Sequence, residues 1–144
     1  MDEVKLKDIK ITKLKKIFTP GGDVLRALKE NEKNFDHFGE AYFSWIKYGS
    51  VKAWKVHSKM KLNLIVPVGK VRFVFISPHE KYKFKEIEIG ESKNLYKRIS
   101  VPPKLIFGFK GLSKPKSLIL NIANLQHSKK ESKKIDIREF SYKW

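Results

Sequence analysis

From Phe38 to Phe75 the chain reads FGEAYFSWIKYGSVKAWKVHSKMKLNLIVPVGKVRFVF. β-branched and aromatic residues recur there in short runs, broken at Gly49, around Ser58, and at Gly69. This is the pattern of consecutive antiparallel strands in a sandwich or barrel, and no long helical period competes with it.

Within VKAWKVH, successive side chains of a strand point to opposite faces. Strict alternation therefore sets Val51, Ala53, Lys55 and His57 on one face, with Lys52, Trp54 and Val56 on the other. In KVRFVFIS both faces, Arg72/Val74/Ile76 and Val71/Phe73/Phe75, are largely apolar, so this strand is predicted to be buried on both sides. Arg72 then needs an anionic or polar partner.

Moving outward, the pattern predicts eight strands: Glu40 to Tyr48, Val51 to His57, Lys61 to Val68, Lys70 to Ser77, Phe84 to Ile89, Lys97 to Val101, Leu105 to Leu112 and Ser117 to Ala123. Pro78 and Pro102-Pro103 punctuate them as turns, because proline lacks a ladder donor and fixes φ. Val24 to Asn31 (VLRALKEN) carries helix-favouring residues, with an extended reading also open. A helical turn is expected after Ser128, ahead of the aromatic ending FSYKW. No internal repeat or interdomain linker is visible, so residues 1–144 are read as one all-β domain with short helical turns near its termini.

At 144 residues the chain can bury about two-thirds of its unfolded surface in one core. It has no cysteine, which excludes disulfides, thiolate nucleophiles and cysteine zinc sites. No apolar run approaches the roughly 20 residues of a membrane span. The opening MDEVKLKDIK has neither a secretory apolar stretch nor an Arg-rich transit pattern, which makes the cytoplasm the expected compartment. The formal charge of +17 raises the question of nucleic acid. Yet the basic residues are almost all Lys, with Arg only at 26, 72, 98 and 138, whereas phosphate and base recognition favours the planar arginine fork. The densest cluster, SKKESKK from Ser128 to Lys134, has no interleaved aromatic to stack on a base and reads as a solvated face.

Two stretches resemble the cupin signatures. Gly49, SVKAW, then Lys55-Val56-His57 with Gly69 beyond follows the first, Gly-x5-His-x-His, with Lys55 in place of the first His. Pro102-Pro103-Lys104-Leu105-Ile106-Phe107 follows the second, Pro-x-Gly-x-x-His, with Lys104 for Gly and Phe107 for His. A lysine ammonium and a phenyl ring cannot ligate a divalent metal, so no metal and no cofactor are expected.

Within the cupins the chain resembles the dTDP-4-dehydrorhamnose 3,5-epimerase family, from about Asp23 to Trp144. The supporting stretches are the one quoted above, then SVPPKLIFGFKGL, SLILNIANLQHS and the terminal YKW. The resemblance implies a jelly-roll β-sandwich and metal-independent acid–base chemistry on a 4-keto-6-deoxy nucleotide sugar, in cell-surface polysaccharide biosynthesis. It also implies a homodimer. It sets Lys55 at the family's catalytic His, Lys52 at its Arg, and Leu120-Asn121 where the family has its proton-donating Tyr. Lys55 is then the candidate base or a residue reaching solvent or the diphosphate, and His57 a second catalytic candidate or a structural hydrogen-bonding residue. Glu40, Tyr42, Asn63 and Asn121 are candidate polar contacts to the substrate, with Lys52, Lys59 and Arg72 near its diphosphate. Trp54 and Phe107 are core or pocket wall, with stacking on a nucleotide base also open to their aromatic faces, and Phe107 is counted among the candidate substrate contacts. Three functions follow: an isomerase, a catalytically silent cupin that binds a nucleotide sugar, and, least supported, a nucleic-acid-binding protein.

Overall fold

A computed structural model describes residues 3–144. In chain order the strands are β1 (Lys10–Lys13), β2 (Lys16–Ile17), β3 (Val24–Leu25), β4 (Glu40–Lys47), β5 (Val51–His57), β6 (Leu62–Val68), β7 (Lys70–Ser77), β8 (Lys83–Gly90), β9 (Lys97–Val101), β10 (Ile106–Gly111), β11 (Lys116–Ala123) and β12 (Ser132–Lys134). Three single 3₁₀ turns, Leu6–Asp8, Pro78–Glu80 and Ile137–Glu139, are the helical content of the described residues. The strands form two antiparallel five-stranded sheets, ordered β1-β9-β6-β11-β4 and β12-β5-β10-β7-β8, with β2 and β3 as a small separate ribbon. The architecture is the expected all-β, cupin-type sandwich.

All eight predicted strands are present, three with the predicted bounds and five with ends shifted by one residue. VLRALKEN takes the extended alternative, since Val24–Leu25 pair with β2. Past Ser128 the chain forms strand β12 before its 3₁₀ turn, which the Lys-rich composition had hidden.

The inner faces of the sheets meet in one core that includes Ile46, Leu64, Val66, Phe73, Phe75, Ile99, Phe107 and Ile119. β7 is buried on both faces: Val71, Phe73, Val74, Phe75 and Ile76 have no accessible surface. Each contributes roughly 1.5–3 kcal/mol of hydrophobic stabilisation. Its outer side belongs to a second cluster, where Trp54, Val74, Ile76 and Ile106 are covered by Ile135, Phe140, Tyr142 and Trp144 of the C-terminal segment. Trp54 anchors that segment, meeting Phe140 edge-on at 5.7 Å between ring centres and donating its Nε1–H to the Ile137 carbonyl at 3.2 Å.

Strict alternation does not hold along β5. Phe107 pairs with Lys55, but the next residue of β10, Gly108, pairs with Ala53, so Trp54 is an extra residue in a β-bulge. The bulge reverses the phase upstream of it: Lys52, opposite Phe109, faces inward like Lys55, opposite Phe107, instead of away from it. Gly108 is suited to this crowded point, because a Cβ there would lie 2.6 Å from that of Ala53. Lys104 has φ +73°, a left-handed conformation easiest for glycine, at the position where the cupin pattern has Gly.

Candidate active site

A cavity of about 880 Å³ opens between the sheets, walled by β5 and β10 on one side and by β4 and β11 on the other. The C-terminal segment from Lys134 to Ile137 forms part of its rim. Of the residues singled out from sequence, Tyr42, Lys52, Lys55, His57, Phe107 and Asn121 are brought together here.

His57 ends β5 and is buried. Its ring stacks on Phe107, with ring centres 6.0 Å apart. Its Nδ1 lies 2.5 Å from Oε1 of Glu131, the residue just before β12. The other oxygen of Glu131 accepts the main-chain N–H groups of Lys59 and Met60 at 2.7 and 2.8 Å. Burial alone would raise the pKa of Glu131, but the hydrogen bonds from Lys59, His57 and Met60 outweigh it and hold the carboxyl below its usual value. An ionised carboxylate only accepts, so Nδ1 carries the proton and Nε2 keeps its lone pair. Burial lowers the His57 pKa, Glu131 partly restores it, and the charges of Lys55 and His127 lower it again, for a net decrease. The imidazole is therefore neutral near pH 7, with one nitrogen basic and its tautomer fixed. That is the state a general base requires.

Glu131 was absent from the sequence-based candidates. It sits in the SKKESKK run that read as a solvated face, and only the pairing of β12 with Lys55–His57 brings it to His57. A lone acidic residue opposed to a lone His was the available signal, and sequence separation concealed it.

On the facing sheet, Tyr42 and Asn121 are cross-strand partners, and Asn121 Nδ2 donates to the Tyr42 hydroxyl at 3.0 Å. Lys55 and Lys52 add positive charge along β5, Lys52 from an exposed position where its Nζ reaches the Trp45 carbonyl at 3.3 Å.

Four candidates lie elsewhere. Arg72 is on the outer face of its sheet, where it pairs with Glu88 at 3.0 Å and donates to the Trp144 main-chain oxygen at 3.0 Å. The anionic partner it needed comes from β8, one strand over. Asn63 is on the outer face of the other sheet, accepting from Ser100 Oγ at 2.6 Å and Arg98 Nε at 3.1 Å and donating to the Asn34 carbonyl at 3.2 Å. All of its polar atoms are used beneath the loop that precedes β4. Glu40 begins β4 on the Tyr42 side but does not line the cavity. Lys59 is exposed, and its N–H is taken by Glu131. Among the described residues no three His, Asp or Glu side chains converge as metal ligands, and no helix is long and apolar enough to cross a membrane.

Neither a family model nor a curated protein sequence matches the chain. Solved structures do. A dTDP sugar isomerase from Desulfovibrio desulfuricans G20 superposes with a TM-score of 0.89 at 29% identity, over 96% of this chain and 91% of that one. A dTDP-4-dehydrorhamnose 3,5-epimerase from Sulfolobus tokodaii gives 0.80 at 17% identity, over 98% and 84%. A sugar 3,4-ketoisomerase from Thermoanaerobacterium thermosaccharolyticum in complex with TDP gives 0.74 at 16%, over 90% and 89%. The latter two share the fold. The chain therefore has the cupin-type fold of these dTDP-sugar isomerases and 3,5-epimerases.

Proposed function

We propose that the protein is a nucleotide-sugar isomerase acting on a 4-keto-6-deoxy sugar. The observation that carries this reading is the buried His57–Glu131 pair, held in a fixed tautomer at the wall of a cavity of about 880 Å³. Nε2 of His57 takes a proton from the carbon beside the ketone, the C–H electrons move into the carbonyl, and the oxygen becomes an enolate. Returning the proton to the opposite face of the same carbon completes an epimerisation; returning it to the former carbonyl carbon, as the neighbouring hydroxyl's proton passes to the enolate oxygen, completes a ketone shift. Lys55 stabilises the enolate charge, while Lys52 and Lys134 at the rim hold the diphosphate. His57 thus takes the part of base that the family resemblance had set at Lys55, because His57 has the geometry and the neutral state for it.

The reading places the protein in the cytoplasm and in polysaccharide biosynthesis, as a homodimer. The exposed outer face of β4, an edge strand carrying Phe43 and Trp45, supports pairing between copies.

Proton NMR in D₂O tests it. With dTDP-4-keto-6-deoxyglucose, deuterium should enter at C3 or C5 on epimerisation, or at C4 on a ketone shift, with wild type and not with His57→Asn. Binding without exchange would instead make the protein a silent nucleotide-sugar cupin, and no binding across a panel of 4-keto sugars would sink both readings.

A further inference from the structure

Asn121 is 5% exposed, and its Oδ1 is a buried oxygen with no hydrogen-bond partner. Its inward-facing neighbours are Ile119 and Ala123 along β11, Leu64 across on β6 and Tyr42 across on β4. Only Tyr42 among these has a polar side chain, and its hydroxyl oxygen already accepts from Asn121 Nδ2. Buried amide oxygens are almost always satisfied, so a donor has to come from what fills the cavity. Because the Tyr42 oxygen takes its hydrogen bond from Asn121, the hydroxyl's own hydrogen is free to be donated elsewhere. The two residues therefore present, side by side on one wall, one acceptor and one donor.

We propose that the Tyr42–Asn121 pair selects an α-hydroxyketone. Asn121 Oδ1 accepts the hydroxyl hydrogen, and the Tyr42 hydroxyl donates to the neighbouring ketone oxygen. This rests on the nucleotide-sugar reading and narrows it: in a 4-keto sugar the hydroxyl beside the ketone is the one on C3, so the pair requires a substrate that retains its 3-hydroxyl. The amide does not titrate, so its role is to bind and orient, while the base acts from the opposite sheet. Oδ1 is already buried and unpaired in the free protein, so a ligand that brings the hydroxyl donor gains a hydrogen bond that the deoxy analogue cannot form, which is how a site built around a hydroxyl favours it over the deoxy analogue.

The test is calorimetric titration of wild-type protein and Asn121→Leu with three ligands: dTDP, dTDP-4-keto-6-deoxyglucose and the 3-deoxy analogue of the latter. Wild type should bind the 3-deoxy sugar on the order of 10- to 100-fold more weakly than its 3-hydroxy parent. In Asn121→Leu that ratio should shrink to within about threefold, with affinity for dTDP unchanged. Equal wild-type affinity for the two sugars overturns the selection by this pair and leaves the nucleotide-sugar reading standing. Failure to bind any of the three overturns both. Because the wild-type comparison decides by itself, the outcome does not depend on the variant folding.

Discussion

Glu131 and His57 lie 74 positions apart in the chain, yet Oε1 of one is 2.5 Å from Nδ1 of the other. The second oxygen of Glu131 ties down the turn that follows His57, through the N–H groups of Lys59 and Met60. One carboxylate therefore fixes both the tautomer of the ring and the end of the strand that carries it.

Glu131→Gln should abolish this without removing any volume. A glutamine must aim its NH₂ either at Nδ1, forcing the proton to Nε2, or at two main-chain N–H donors. The first choice silences the base, and the second loses the turn. The exchange rate is expected to fall on the order of 10⁴-fold with the fold retained, by analogy with an amide replacing the orienting carboxylate of a catalytic triad. Near-normal exchange in a folded variant would show that Glu131 does not orient the base.

The pH dependence follows from the same pair. Burial, only partly offset by Glu131, keeps His57 below its ordinary 6.5. Between its folded and unfolded pKa values the unfolded chain binds more protons, so this group's contribution to stability is complete above pH 6.5 and lost as pH falls through the folded value. Glu131, held below 4.5, contributes above that value and loses it on further acidification. The acid limb of the exchange rate should have its midpoint below 6.5, matching the His57 resonance in an NMR titration. A midpoint above 6.5 would contradict a buried neutral base.

Lys55 lowers the His57 pKa through its charge. Lys55→Met should accordingly raise that pKa and shift the acid limb upward, with exchange slowed but present. Complete loss of exchange with an unmoved His57 titration would make Lys55 the base instead.

On the outer face of the first sheet, Arg98 is 1% exposed and paired with Glu32, while donating to the Ala27 carbonyl at 2.8 Å and to Asn63. Glu32→Ala strands a buried guanidinium. It should cost about 3 kcal/mol in urea unfolding, since breaking one side of a buried pair leaves the other charge uncompensated. Substrate affinity should stay unchanged, because the network faces away from the cavity.

Phe43 and Trp45 are 64% and 47% exposed on neighbouring outward positions of β4. If this face joins two copies, Phe43→Glu with Trp45→Glu should convert a dimer to a monomer by light scattering. A wild type that is already monomeric would remove the dimer from the proposed function.

The all-β sandwich, its eight principal strands and the two-sided burial of Val71–Ile76 were legible in the amino-acid order, because a period of two and the spacing of Gly and Pro are local properties. His57, Phe107 and Asn121 were legible as candidates through the resemblance to the cupin signatures and the epimerase family. Three things depended on partners remote in sequence. The bulge at Trp54, which turns Lys52 inward, exists only as a mismatch with β10. Arg72 and Asn63 have their hydrogen bonds met on outer faces, by Glu88 and by Arg98 and Ser100, so neither is left free for the cavity. Glu131 is an acidic residue among lysines until β12 pairs with β5 and withdraws it from water beside His57. Periodicity specifies which side of a strand a residue occupies, but register, bulges and the burial of charge are settled by long-range contacts, and those made the site.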